Sequence, residues 1–269
     1  KVFEIARCFR NEGIDRSHNP EFTQIEFYEA YKDYEYYMTL IEEFMAEITT
    51  KVTGSTKVNY EDVVLDFTPP YPRISFKDAI LQYTHIDIDC HCESASGGRG
   101  NPRGPEDRHV PPHVCGGTRD DIFKAAQGLK LTIGPEWGRG EILDEIFKKV
   151  VAPHLIQPTF VIDHPIELSP LAKKKPRTVT SNDGTSAWVE RFQLVVKSME
   201  IVNTFSELND PLDQRARFEE QEKLRGKGNE EAQRLDEDFL TALEHGMPPA
   251  AGCGIGLDRL ATLLTGVHS

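Results

Sequence analysis

Apolar and polar residues alternate along two stretches near the start of the chain, residues 2–10 (VFEIARCFR) and 21–31 (EFTQIEFYEAY), and a period of two is the pattern of strands. The NEGIDRSHNP between them carries Gly13, Asp15, Asn19 and Pro20, so the spacing predicts a hairpin with a long loop. Strand side chains alternate faces, which puts Arg10 with Glu12 on the first arm and Phe22, Gln24, Glu26 and Tyr28 together on the second. The other parity, Phe3, Ile5, Phe9, Ile25 and Phe27, is apolar and is expected to pack against a helix. From Tyr34 to Thr49 the period becomes helical, with Tyr37, Leu40, Ile41, Phe44, Met45 and Ile48 in register. Strand-like VNYEDVVLDF and a Pro-rich turn follow, and residues 87–120, rich in Gly, Pro, Asp, Cys and His, read as a long surface insertion. A helix near 139–151, strands at 159–163, 191–197 and 200–207, and helices near 213–225 and 230–244 come next, with Gly246 as a stop signal. The predicted class is α+β, a mostly antiparallel sheet with helices gathered between the strands.

Composition narrows this little. With 269 residues, 38% of them hydrophobic and 28% charged, the chain can build one sizeable domain. No apolar run is long enough to span a bilayer and the first residues lack a signal-peptide pattern, so the expected location is the cytoplasm, away from membranes. Five unevenly spaced cysteines fit a reducing compartment rather than a disulfide framework. A net charge of -13 argues against clamping nucleic acid by bulk electrostatics, which leaves a local patch for any such partner. Lys173, Lys174, Lys175 and Arg177 form the one dense basic run and read as a solvated loop. The chain opens inside a strand-like stretch, and it is expected to be a fragment of a longer protein.

The candidate chemistry sits where polar residues interrupt apolar runs. Glu26 and Glu207 each lie among apolar neighbours, where a carboxylate is costly unless a cation meets it. Arg10 has the planar fork that suits phosphate oxygens, Arg16 and His18 could add charge at a distal phosphate, Phe22 offers a flat face to a purine, and Glu12 can accept from an exocyclic amine. Near the C-terminus, Gly252, Gly254 and Gly256 precede a helical run beginning at Asp258, a pattern that lets a backbone approach a ligand, with Arg259 as a second phosphate clamp. A dinucleotide fingerprint fails there because Leu257 stands where a glycine is needed. In MEIVNTFSELND, alternation puts Asn203, Phe205 and Glu207 on one face and Glu200 on the other unless a bulge intervenes, and carboxylates here could hold Mg²⁺ between phosphates. Cys90, His91, Cys92, His109, His113 and Cys115 raise a zinc reading, but the C-x-C spacing and the Gly/Pro-rich surroundings fit an insertion better.

FRNEGIDRSHNPEFTQIEFYEAY closely resembles motif 2 of the class II lysyl-tRNA synthetases, and GCGIGLDRL resembles their motif 3. PTFVIDHPIELSPLAK and MEIVNTFSELNDPLDQR resemble stretches typical of the lysine-specific enzymes, in the family's order. The resemblance implies one partial catalytic domain over residues 1–269, with motif 2 near 3–31, the insertion near 87–120 and motif 3 near 252–264. It also implies a class II sheet flanked by helices, a homodimer, and lysine, ATP and the acceptor end of tRNA(Lys) as substrates, with Mg²⁺. By matching position Arg10 would hold the α-phosphate and the lysine carboxylate, with Asn203 assisting. Phe22 and Arg259 would sandwich adenine, Glu12 would read its amine, and His18 would touch the outer phosphates. Glu26, Tyr28 and Glu207, beside Phe205, would hold the ε-ammonium, and Glu200 would bind the metal.

The chain departs from the family at Gln193, where Glu is usual, and the family's motif 1 and N-terminal anticodon-binding domain have no match. Three other functions stay open: a paralogue that attaches lysine or a related amine to a protein, a lysine- and ATP-binding regulatory module with weakened chemistry, and a metal-binding scaffold centred on the Cys and His insertion.

Overall fold

The computed structural model describes residues 1–10, 19–89, 114–176, 188–226 and 234–267. The predicted hairpin arms are β1 (Val2–Phe9) and β2 (Glu21–Ala30), paired antiparallel from Val2 opposite Tyr28 to Phe9 opposite Glu21. Helix α1 (Tyr34–Thr53) follows, then the short strands β3 (Lys57–Tyr60), β4 (Val63–Asp66) and β5 (Arg73–Ser75) and helix α2 (Phe76–Thr84). Next come β6 (Ile86–Asp87), β7 (Val114–Cys115), α3 (Arg119–Gly128) and α4 (Arg139–Ile146), the last running into a π-helical turn, Phe147–Val151. Strands β8 (Thr159–Pro165), β9 (Trp188–Val196) and β10 (Met199–Ser206) lead to helices α5 (Pro211–Gly226) and α6 (Glu237–Glu244). The described chain closes with β11 (Ala250–Gly256) and α7 (Leu257–Thr265).

Seven strands form one sheet in the order β1-β2-β11-β10-β9-β8-β5, antiparallel throughout except where β5 lies parallel to β8. This is the α+β class expected from the pattern. One face is closed by α1 and α7. Tyr37, Ile41 and Met45, spaced by four on α1, bury against Phe192, Leu194, Val202 and Ile255 of the sheet. Asp33 starts that helix by accepting a 2.9 Å hydrogen bond from the Tyr36 backbone N–H, and Gly54, at φ 81°, ends it in a conformation that suits glycine. The buried Glu42 on the same helix accepts from the Tyr71 backbone N–H at 2.9 Å, so its carboxylate is spent on structure.

The opposite face is shared. At the β8–β9 end, Val161 and Val195 pack under Phe76, Ile80, Ile142 and Ile146 of α2 and α4. Over β2, β11 and β10 the same face carries Phe22, Gln24, Glu26, Tyr28, Asn203 and Phe205 instead. The helical layer therefore stops where the candidate chemistry begins.

Several expectations need correction. Phe3, Ile5 and Phe9 are 73%, 59% and 72% exposed, whereas Ile25 and Phe27 pack partly against the core. The helices sit over β9, β10, β11 and β2, and β1 is the edge strand beyond them. VNYEDVVLDF is two strands, β3 and β4, reversing at Glu61 with φ 50°. The supposed insertion has ordered ends: β6 pairs with β7, Ile88 is buried, and Thr118 and Asp121 form a capping box on α3. Cys90, His91, Cys92, His109 and His113 lie outside the described residues. Lys174 and Lys175 are half-buried and paired, with Asp213 at 3.0 Å and Asp163 at 2.6 Å, and do not form a free solvated loop. Arg177 lies outside the described residues, as do 227–233, and the helix expected near 230 is described from Glu237. Among the described residues no helix is long and apolar enough to cross a membrane.

Asp33→Ala should lower stability by about 1 kcal/mol, the usual cost of losing an N-cap, read from the midpoint of urea unfolding at constant slope.

Candidate active site

Pairing register brings the polar face together. Tyr28, Glu26 and Gln24 on β2 lie opposite Gly252, Gly254 and Gly256 on β11. Across β11, Gly252 faces Phe205 and Gly254 faces Asn203 on β10, and these in turn face Arg191 and Gln193 on β9. The central strand of the cluster thus has no side chains on this face, and its neighbours lean over it. A Cβ at Gly252 would overlap Glu207 Oε1 and the Tyr28 ring, and one at Gly254 would overlap Gln24 Nε2. The glycines are a floor. They give room to walls supplied by β2 and by the end of β10.

Above that floor two carboxylates meet. Glu26 accepts from Gln24 Nε2 at 2.9 Å and from the Tyr28 hydroxyl at 3.2 Å. Glu207 follows β10, its backbone N–H donating to Pro-flanked Ala250 O at 2.8 Å, and its Oε1 is buried with no hydrogen-bond partner. Burial first, and the charge of Glu26 second, push the Glu207 pKa up to about 8. The Tyr28 phenol is also raised, by burial and then by the two carboxylates. A group carrying positive charge and several N–H donors would satisfy the orphan oxygen and relieve the repulsion at once.

The other end of β2 carries a different set of side chains. Phe22 and Glu26 are four residues apart, roughly 13 Å along a strand. The Arg10 guanidinium stacks over the Phe22 ring, 5.0 Å from its centroid. Arg259, in the first turn of α7, donates from Nη1 to the Glu200 carbonyl at 2.8 Å, and Asp258 beside it accepts from the Thr23 N–H at 2.6 Å. These bonds tie the start of α7 to β2 and β10. Two guanidiniums and an aromatic face at one end, and two carboxylates at the other, suit a ligand pair with an anionic, planar part and a cationic tail.

Glu200 reaches this face because the bulge left conditional above is present. The β9–β10 register shifts between Glu200 and Val202, so Glu200 lies opposite Val195 on the side of Gln193 and Asn203. Its Oε2 accepts from Gln193 Nε2 at 2.6 Å. Among the described residues there is no group of three or more His, Cys, Asp or Glu side chains that could hold a metal. The donor set therefore fits Mg²⁺ only as one carboxylate, Glu200, with the remaining oxygens coming from a bound polyphosphate, which is a usual arrangement for this ion. Glu12 and His18, like Arg16, lie outside the described residues.

Two residues of this face were not singled out from sequence. Arg191 donates from Nε to Asn203 Oδ1 at 3.0 Å, and from Nη1 to Leu168 O at 2.6 Å and Ser169 Oγ at 2.9 Å. With Asn203, Phe205, Pro170 and Ala172 it lines a cavity of about 190 Å³. Its parity with Gln193 on a predicted strand was the available signal. His164, 2% exposed, contacts Gln193 from β8, and burial together with the Arg191 cation pulls its pKa down to about 3, so it is neutral. Loop 168–172 is held against the site by α5: the buried Arg217 donates to Ser169 O at 3.0 Å and Ala172 O at 2.6 Å.

Comparison with known proteins fits this geometry. A family model described as tRNA synthetases class II (D, K and N) matches residues 1–269. The lysine–tRNA ligase of Moorella thermoacetica is 45% identical over 265 residues, 98% of this chain and 48% of that protein. Those of Syntrophomonas wolfei and Christiangramia forsetii are 43% and 41% identical, the match covering the whole of this chain and 48% and 41% of theirs. The chain spans about half the length of the curated relatives it matches.

Glu207 sets a pH signature. Its folded-state pKa of about 8 lies above its ordinary value of 4.5, so the folded protein holds a proton that the unfolded chain releases, and stability falls as pH rises across that window. Without ligand, Glu207→Gln should melt higher than the parent at pH 8.5, and the gap should close towards pH 5. A constant difference across that range would contradict a buried, unpaired carboxylate.

Proposed function

Because the chain belongs to the class II tRNA synthetases (D, K and N), we propose that its polar sheet face activates lysine with ATP and passes it to the 3' end of tRNA(Lys). One observation carries the choice of lysine: Glu207 Oε1 is buried without a partner beside a second carboxylate, Glu26. Of the three amino acids in the family's description, aspartate would add a second negative charge beside Glu26 and oppose ionisation of Glu207. Asparagine would leave the Glu26 charge and the Glu207 oxygen without a cation. Lysine's ammonium meets both, with the Tyr28 hydroxyl beside them.

The reaction needs no covalent enzyme intermediate. A lysine carboxylate oxygen attacks the α-phosphorus of ATP, the bond to the bridging oxygen breaks, and its electron pair leaves with pyrophosphate. The terminal ribose hydroxyl of tRNA then attacks the lysyl carbonyl, and AMP departs. The chain's contribution is positioning and charge. Arg10 binds the α-phosphate and the lysine carboxylate with Asn203 assisting, each charge-assisted bond contributing roughly 1.5–3 kcal/mol. Phe22 and Arg259 hold the adenine, Arg259 reaching the outer phosphates, and Glu12 and His18 complete the nucleotide contacts. Arg191 keeps Asn203 turned into the site. Glu200 would hold Mg²⁺, which supplies charge neutralisation on the phosphates when bound. The reading extends to a homodimer in the cytoplasm that holds its tRNA through a local patch, since the net charge is -13.

Pyrophosphate exchange with each amino acid tests this, and only lysine should support it. Glu207→Gln should raise the KM for lysine on the order of a hundredfold, the scale of breaking a buried charge pair, with the KM for ATP within about threefold. Gly252→Ala should act in the same direction, since its methyl group fills the space of the Glu207 and Tyr28 side chains. Equal effects on both substrates would refute the assignment.

A further inference from the structure

We propose that His164 is a positioning residue: it donates from Nε2 to Gln193 Oε1 and thereby holds the Gln193 amide in the orientation in which its NH₂ group meets the Glu200 carboxylate at the phosphate end of the site. The inference rests on the role given to Glu200 above.

The contacts are Gln193 Nε2 to Glu200 Oε2 at 2.6 Å and His164 Nε2 to Gln193 Oε1 at 3.1 Å. An amide has one donor end and one acceptor end, and reversing it would press a carbonyl oxygen against a carboxylate oxygen. Glu200 therefore fixes which end of Gln193 faces His164. That end is an oxygen, so the imidazole nitrogen meeting it carries the hydrogen. The other nitrogen, Nδ1, is buried with no partner, and a bare acceptor is a cheaper orphan than an N–H donor. The amide orientation thus assigns the hydrogen to Nε2.

Two strand irregularities assemble this chain of contacts. On β8 the register shifts between Ile162 and His164, with Asp163 at φ 58°, and His164 turns from the side of Ile162 to the side of Phe76, whose ring lies 5.4 Å away. On β10 the shift between Glu200 and Val202 turns Glu200 the same way. The β10 break also turns Ile201 and Val202 both into the core, and the two breaks together place one side chain on each flank of Gln193. Cores do contain histidines that merely fill space. Such a residue would not need its bonded nitrogen aimed at the amide that restrains Glu200.

The test uses the full chain. Nitrogen NMR of the ¹⁵N-histidine-labelled protein, ligand-free, should show the Nε2–H tautomer at His164. His164→Phe keeps a ring but removes the donor, and should raise the half-saturating Mg²⁺–ATP concentration in exchange roughly tenfold, as loss of an outer support typically does, with the KM for lysine within about twofold. His164→Gln returns an N–H donor and should recover to within about threefold of the parent. An Nδ1–H tautomer, equal shifts for lysine and nucleotide, or no recovery with Gln would overturn the proposal. If His164→Phe does not fold, the tautomer decides. Should the parent exchange with no amino acid, the lysine reading fails, and the NMR result still tests the orientation.

Discussion

Glu207 holds a carboxylate oxygen out of water with no donor to meet it, and Glu26 adds a second negative charge close by. Burying an ionised group this way is among the most costly arrangements a fold can keep. Burial and the Glu26 charge raise the Glu207 pKa to about 8, so the free protein keeps a proton there, and Glu26 has two donors of its own, Gln24 and Tyr28. In the proposed lysine site, affinity and selectivity then have one origin. A ligand that brings positive charge removes a penalty already present in the free protein, and a neutral ligand of the same shape leaves it in place.

The rest of the sheet keeps that penalty from being relaxed by movement. One face is closed by α1 and α7, and part of the other by α2 and α4, so β8 and β9 are packed on both faces beside the polar groups of β10 and β11. The loop carrying Ser169 and Ala172 is fixed by Arg217 from α5, and Asn203 is fixed by Arg191. Side chains that would otherwise swing to water are held by neighbours whose own positions are set by packing.

Period-two and period-3.6 patterns made the hairpin, α1 and the long strands legible, because each has one apolar face and a full core to bury it in. The edge position of β1 was not legible: Phe3, Ile5 and Phe9 have the parity of buried residues, and only topology tells that the covering helices end one strand short. β11 was hidden because its face towards the ligand is glycine, which erases alternation. Glu26, Asn203 and Glu207 could be placed from parity, whereas Glu200 could not, since a bulge leaves no mark in the residue pattern. Arg191 and His164 were missed for a related reason: their importance lies in what they hold, and the partner is distant in sequence.

The glycine floor also limits how such a site can diverge. A methyl group at Gly252 would meet the Tyr28 ring and the Glu207 carboxylate, whereas one at Gly254 would meet only the flexible end of Gln24. A side chain at position 252 therefore fits best once Tyr28 or Glu207 is shortened or redirected, while position 254 needs only a swing of Gln24. Steric exclusion thus favours change in the walls before change in the floor at Gly252.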